Sequence, residues 1–121
     1  MIPDIYAQAR ELFIAAADGA GFRTMRYRIS NEESPELFQD YALLRRDPKK
    51  VLVQISGVHG VEGYLGSAIQ RKILAREFPA DGPSLLFVHA LNPYGMAFYR
   101  RANAENVDLN RNFRSGPAKP N

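Results

Sequence analysis

The sequence predicts an α/β domain, a partial doubly wound and mostly parallel sheet with flanking helices. Three observations carry that prediction. Val51-Leu52-Val53-Gln54-Ile55 and Leu85-Leu86-Phe87-Val88 are apolar runs of strand length without alternation, the pattern of parallel strands covered on both faces. Between them Val61, Leu65, Ala68, Ile69 and Ile73 recur at helical spacing. Strand, helix, strand in that order is a βαβ unit, whose crossover makes the two strands parallel.

The remaining elements follow in order. Ile2, Ile5, Tyr6, Ala9, Leu12, Phe13 and Ala16 step by three and four, predicting an amphipathic helix over 2–17 that Gly19 and Gly21 end. Alternation over 23–30 predicts a strand with Phe22, Thr24, Arg26 and Arg28 on one face and Met25, Tyr27 and Ile29 on the other. Asn31–Pro35 reads as a polar turn, 37–46 as a second strand, and Asp47-Pro48-Lys49-Lys50 as another turn. The buried strand over 50–56 follows, then a helix over 61–78 closed by Pro79 and Asp81-Gly82-Pro83. A fourth strand over 84–91 ends at Asn92-Pro93, and 114–121, without periodicity, is expected to fray.

Composition narrows the class. The 121 residues are 45% hydrophobic and 24% charged, as in an ordinary globular domain. No apolar run approaches the roughly 20 residues that span a bilayer, and the N-terminus lacks the basic and apolar regions of a signal peptide. There is no cysteine, which excludes disulfides and thiolate zinc sites. The expected location is cytoplasmic. Residues 100–121 hold five basic and two acidic groups and so carry the whole net charge of +3. A nucleic-acid binder usually shows a broader basic face, so the cluster is read as fitting a small anionic group, with neither nucleic acid nor membrane as partner.

The candidate chemistry begins at Ser56-Gly57-Val58-His59-Gly60-Val61-Glu62-Gly63. A buried strand ends there, and an imidazole and a carboxylate sit three residues apart at the start of a helix. Two such donors suit Zn²⁺, whose catalytic sites take three protein ligands and keep one position for water. Open α/β sheets bind ligands outside the carboxyl ends of their parallel strands. His59 and Glu62 follow one such end and Asn92-Pro93-Tyr94-Gly95 the other, so the two loops are expected to meet at one mouth. His89, inside an apolar strand, is read as a packed core histidine. Asp108 and Arg111 are spaced to pair across a turn, and Phe113 is read as a packing residue.

The second segment is the more specific. Asn92-Pro93-Tyr94-Gly95, then Arg100-Arg101 and Asp108-Leu109-Asn110-Arg111-Asn112-Phe113, together with His59 and Glu62, resemble the zinc carboxypeptidase superfamily. Within it the likeness is greatest to an uncharacterised bacterial branch of carboxypeptidase-like proteins (DUF2817-like), over its N-terminal portion. The resemblance implies that His59 and Glu62 are two zinc ligands. It implies that Arg100 polarises the scissile carbonyl, with Arg101 the neighbouring alternative, and that Asn110 and Arg111 grip the substrate's terminal carboxylate. The family's third ligand, general base and closing tyrosine have no counterpart in residues 1–121. The chain is therefore expected to be one incomplete catalytic domain, inactive by itself.

The leading expectation is a zinc-dependent hydrolase that cleaves an amide next to a free carboxylate, acting on peptides or N-acyl amino acids. His59-Gly60-Val61-Glu62 and Asp108-Leu109-Asn110-Arg111 also resemble the aspartoacylase and succinylglutamate desuccinylase branch, a deacylase alternative. A third expectation is a non-enzymatic binding or dimerising module on the same fold, a homo-oligomer formed through apolar surface left where the sheet is cut.

Overall fold

A computed structural model describes residues 4–29, 36–113 and 115–116. Helix α1 (Asp4–Gly19) is followed by strands β1 (Arg23–Arg28), β2 (Phe38–Leu44) and β3 (Asp47–Ile55). Helix α2 (Glu62–Leu74), strand β4 (Pro83–His89), helix α3 (Pro93–Phe98) and a 3₁₀ turn at Leu109–Arg111 complete the order. The expected turn at Asn31–Pro35 lies outside the described residues, as does all of the expected tail except Ser115 and Gly116. No helix among the described residues is long and apolar enough to cross a membrane.

The four strands form one sheet in the order β1-β2-β4-β3. The α/β class and the βαβ unit are as expected: β3 and β4 are parallel, with Leu52 beside Leu85 and Ile55 beside Val88. The balance of the sheet differs from the expectation of a mostly parallel one. β1 with β2 and β2 with β4 are both antiparallel: the chain reverses after β1 and again after β2, and β4, parallel to β3, inserts between β2 and β3. The expected turn at Asp47–Lys50 is instead the start of β3. Asp47 pairs with Pro83, and an irregularity separates that pair from Val51. Pro48, which has no N–H, is tolerated there because β3 is an edge strand.

Register divides the sheet into two faces. Asp40, Ala42 and Leu44 of β2 lie beside His89, Phe87 and Leu85 of β4, and this face takes the helices. Phe13 and Ala17 of α1 and Leu74 of α2 close over Ala42, Leu85 and Phe87. A fully buried aromatic such as Phe13 contributes on the order of 1.5–3 kcal/mol. An ion pair fixes α1 to β2: Arg10 Nε and Nη2 donate to the two Asp40 oxygens at 2.7 and 2.8 Å, and the guanidinium stacks 4.3 Å from the Phe38 ring centre. Burial, the largest single influence, opposes ionisation of Asp40, and neighbouring Arg10 and His89 together outweigh it, so its carboxyl is held below the ordinary range.

Two expectations about burial are corrected here. β3 is not covered on both faces; it is an edge, with Leu52 59% exposed and Val51, Val53 and Ile55 about as open. The apolar stripe of α2 also faces away from the core. Val61, Leu65 and Ile69 are exposed, whereas Gly63, Ser67, Gln70 and Leu74 are buried. Hydrogen bonds hold the helix in that orientation. Gln70 accepts from Ser56 Oγ at 2.9 Å and donates to Gln54 Oε1 at 2.6 Å and to the Val88 carbonyl at 3.0 Å. Buried polar groups with partners carry little penalty, so the polar side of α2 can face the sheet.

Candidate functional site

The parallel ladder does not stop at the strand ends. Ser56 N–H donates to Val88 O, Leu91 N–H to Ser56 O, and Asn92 N–H to Gly57 O at 2.7 Å. The loop after β3 and the loop after β4 are thereby zipped together. Asn92 then caps α3: its Oδ1 accepts from Gly95 N–H at 2.9 Å, with Pro93 at the first helical position. The expected turn at Asn92–Gly95 is therefore the first turn of a short helix. Tyr99 ends it in the left-handed conformation, φ 56°, and directs Arg100 and Arg101 back toward the loop after β3. Gly60 is where the two loops lock. A Cβ there would lie 2.7 Å from both Arg100 O and Gly95 O, so no side chain fits.

His59 lies at this junction, its side chain 15% exposed. Its Nε2 is 2.9 Å from Asp108 Oδ1, and the other oxygen of Asp108 accepts from Arg101 Nε at 2.8 Å. Asp108 also caps the 3₁₀ turn, its Oδ1 accepting from Asn110 N–H at 3.0 Å. Hydrogen bonds with His59 and Arg101 hold the Asp108 carboxyl down at about 2. An ionised carboxylate only accepts, so His59 Nε2 is the donor of that bond. Nδ1 faces Glu62 Oε1 at 3.4 Å. Upstream, Asn103 Oδ1 accepts from Glu105 and Val107 N–H and folds the loop that presents Asp108.

The structure thus brings His59, Glu62, Asp108 and Arg101 into one connected cluster. Arg100 is exposed, and its guanidinium has no hydrogen-bond or ion-pair partner among the described residues. Asn110 and Arg111 follow Asp108 on the 3₁₀ turn and are exposed; among the described residues Arg111 Nη1 bonds only to the carbonyl of Asn110, at 3.2 Å. The side-chain pair of Asp108 with Arg111 does not form. Asp108 turns to His59 and Arg101 instead, and its link to Arg111 is backbone N–H to O at 2.9 Å. Phe113 does not pack; it is 86% exposed.

Two positions take a part in this junction that the sequence did not show. Asp108 is 49 residues from its histidine, and the only available signal was chemical. A metal-binding histidine usually gives its second nitrogen to a carboxylate. Asn92 was visible as part of a turn, but not as the buried cap whose Nδ2 reaches Arg101 O at 3.4 Å.

Among the described residues no three His, Cys, Asp or Glu side chains form a metal-binding group. His59 Nδ1 and Glu62 Oε1 are one nitrogen and one oxygen donor 3.4 Å apart, of the types that bind Zn²⁺ but fewer than the three protein ligands of a catalytic site. A cavity of about 470 Å³ has a wall that includes Leu37, Gln39, Leu91, Tyr94, Asn103 and Leu109, and neither His59, Glu62, Arg101 nor Asp108 lines it. His89 is elsewhere, fully buried, 2.9 Å from Ser67 Oγ and stacked on Phe13 at 4.7 Å.

Residues 4–120 match the family described as "Protein of unknown function (DUF2817)". No curated protein and no solved structure matches the chain.

Proposed function

The chain belongs to the DUF2817 family of proteins of unknown function, and from that premise we propose that its mouth is the metal- and carboxylate-binding part of a zinc-dependent hydrolase of carboxypeptidase type. The observation that carries the reading is the orientation of His59. Asp108 takes Nε2, and Nδ1 is left facing Glu62 at 3.4 Å. His59 and Glu62 would hold the zinc ion. Bound there, zinc supplies Lewis-acid polarisation and lowers the pKa of water to near 7.

The chain's own residues supply the rest. Asp108 orients the imidazole, and Arg101 orients Asp108. Arg100 is the free cation nearest this cluster in sequence, and a fixed guanidinium where charge develops lowers the barrier to acyl transfer. Asn110 and Arg111 present an amide and a fork of donors to solvent, and a guanidinium pairs bidentately with a carboxylate. The substrate class is a peptide or N-acyl amino acid with a free carboxylate. Two protein donors hold zinc weakly, so the chain by itself is expected to bind without turnover. Gly60 does not weigh toward the deacylase alternative, because close packing on Arg100 and Gly95 explains it.

The test is a pair of titrations followed by NMR. Zinc should perturb His59 and Glu62 at a one-to-one ratio, and His59→Ala should remove the effect. A blocked dipeptide with a free C-terminal carboxylate should shift the Asn110 and Arg111 resonances, and its C-terminal amide should not. Zinc binding that survives His59→Ala, or equal shifts from acid and amide, would contradict the reading.

A further inference from the structure

α3 is only six residues long, too short to hold itself in water, yet the segment that leaves it brings Arg100 and Arg101 back to the mouth. Arg101 is the cation that meets Asp108. Its side chain is 62% exposed, so packing does not fix it, and a free arginine samples many rotamers. The bond to Asp108 therefore depends on where the backbone at 101 is set.

Asn92 is placed to set it. The residue is 1% exposed and sits where the loop after β3, the start of α3 and the segment after α3 meet. Its backbone N–H donates to Gly57 O at 2.7 Å, which ties it to the loop that bears His59. Its Oδ1 caps α3 at Gly95 N–H. Its Nδ2 donates across nine residues to Arg101 O at 3.4 Å, the amide's only acceptor among the described residues. That bond is long, but the space around it is closely fitted. A Cβ on Gly95 would lie 2.5 Å from Asn92 Nδ2 and 2.5 Å from Arg100 O. Only a hydrogen at position 95 lets the carboxamide and the returning backbone close on each other. Arg100 N–H to Gly95 O, at 2.8 Å, holds the same turn from its other end. Capping alone does not require this residue, since Ser, Thr and Asp also accept from a helix N-terminus. Among these caps Asn adds an NH₂ on the same planar group, and here that NH₂ points to Arg101 O.

We infer that Asn92 is a positioning residue for the metal site. Its Nδ2 sets the backbone at Arg101, Arg101 Nε holds Asp108 Oδ2 at 2.8 Å, and Asp108 Oδ1 holds His59 Nε2 at 2.9 Å. The assignment rests on the reading of His59 as a zinc ligand. It differs from a plain cap in one respect: Asn92 reaches the metal through Arg101, so its influence on zinc disappears when Arg101 is gone.

Zinc titrations by chelator competition on a mutant cycle, with NMR of the Arg101 Nε–H, test this. Asn92→Ser keeps a neutral cap for Gly95 and is too short to reach residue 101. It should weaken zinc about fivefold, less than the 10–100-fold typical of a ligand's direct partner. It should also speed solvent exchange of the Arg101 Nε–H, while far-ultraviolet circular dichroism stays unchanged. Asn92→Asp, which keeps the outline and the cap but lacks the donor, should do the same. In an Arg101→Ala background, Asn92→Ser should change zinc affinity by less than about twofold, because residues coupled in one network are not additive. Undiminished loss in that background would overturn the proposal, as would an Arg101 Nε–H that exchanges at the wild-type rate in both Asn92 variants. Zinc bound through His59 with wild-type affinity in both variants would overturn this proposal alone. A wild-type chain that binds no zinc would overturn the metal reading and this assignment with it.

Discussion

The chain's two histidines stand at the ends of neighbouring parallel strands, each within 4 Å of a carboxylate, yet they differ in the one respect that matters for chemistry. His89 Nε2 meets Ser67 Oγ at 2.9 Å, and Nδ1 lies 3.8 Å from Asp40 Oδ2. That is an electrostatic approach and too long for a hydrogen bond, and Nδ1 has no hydrogen-bond partner among the described residues. The series Ser67, His89, Asp40 repeats the order of groups in a serine hydrolase triad. All three are at most 1% exposed, so no substrate reaches the serine, and the Asp40 oxygens are committed to Arg10. At His59 the partnered nitrogen is the one facing Asp108, and the other looks toward Glu62, whose side chain is 67% exposed. Partner types alone do not separate a core histidine from a candidate ligand. Solvent access and the direction left to the second nitrogen do.

The largest expected effect tests the buried half of that contrast. Asp40→Ala leaves the Arg10 guanidinium, 12% exposed, without its counter-charge. Removing one partner of a buried pair typically destabilises by about 3–5 kcal/mol. Urea unfolding should show that loss, whereas His59→Ala should change stability by less than about 1 kcal/mol. Equal losses from the two variants would mean that His59 is as structural as the Asp40 network.

The second prediction concerns metal affinity. Asp108→Asn keeps the shape of the side chain but weakens the acceptor that orients His59 and frees Arg101. Loss of such a second partner typically costs 10–100-fold in metal affinity, measurable by competition with a chromophoric chelator. His89→Phe, which keeps an aromatic ring against Phe13, should leave zinc affinity unchanged. Were His89→Phe to weaken zinc binding as much as Asp108→Asn, the two histidines could not be assigned separate roles.

These contrasts also mark what could be read from the linear chain. The periods of three and four identified α1 and α2, and the apolar runs identified β3 and β4, because those patterns are local. They could not say what covers them. Val61, Leu65 and Ile69 recur as a buried stripe would, yet Gln70 and Ser67 face the sheet, because hydrogen bonds to Ser56, Gln54, Val88 and His89 satisfy them. Asp47–Lys50 has turn residues but lies in β3, since an edge strand accommodates Pro48. At the mouth, His59, Glu62 and the Asn92–Gly95 motif were legible from their positions after strands. Asp108 was not, because its pairing with His59 closes a loop of 49 residues that no spacing rule reports.

The smallest expected effect is in acid and compares the two carboxylates behind the histidines. Asp40 and Asp108 are both held below the ordinary value of 3.8. A carboxyl depressed in the folded state adds stability at pH above its unfolded value and loses it as pH falls through the folded one. Asp108 titrates at about 2, so its bond to His59 outlasts ordinary carboxylates between about pH 4 and pH 2. Asp108 and Arg101 lie at the surface, however, where solvent screens a pair and little stability depends on it. Asp40 is 1% exposed and its pair is not screened in that way. From about pH 4 downward the wild type should therefore lose stability more steeply than Asp40→Ala, whereas Asp108→Asn should follow the wild type closely. Urea midpoints at several pH values decide it. An Asp108→Asn curve as flat as that of Asp40→Ala would place the stabilising charge at the mouth and reverse the assignment of the two histidines.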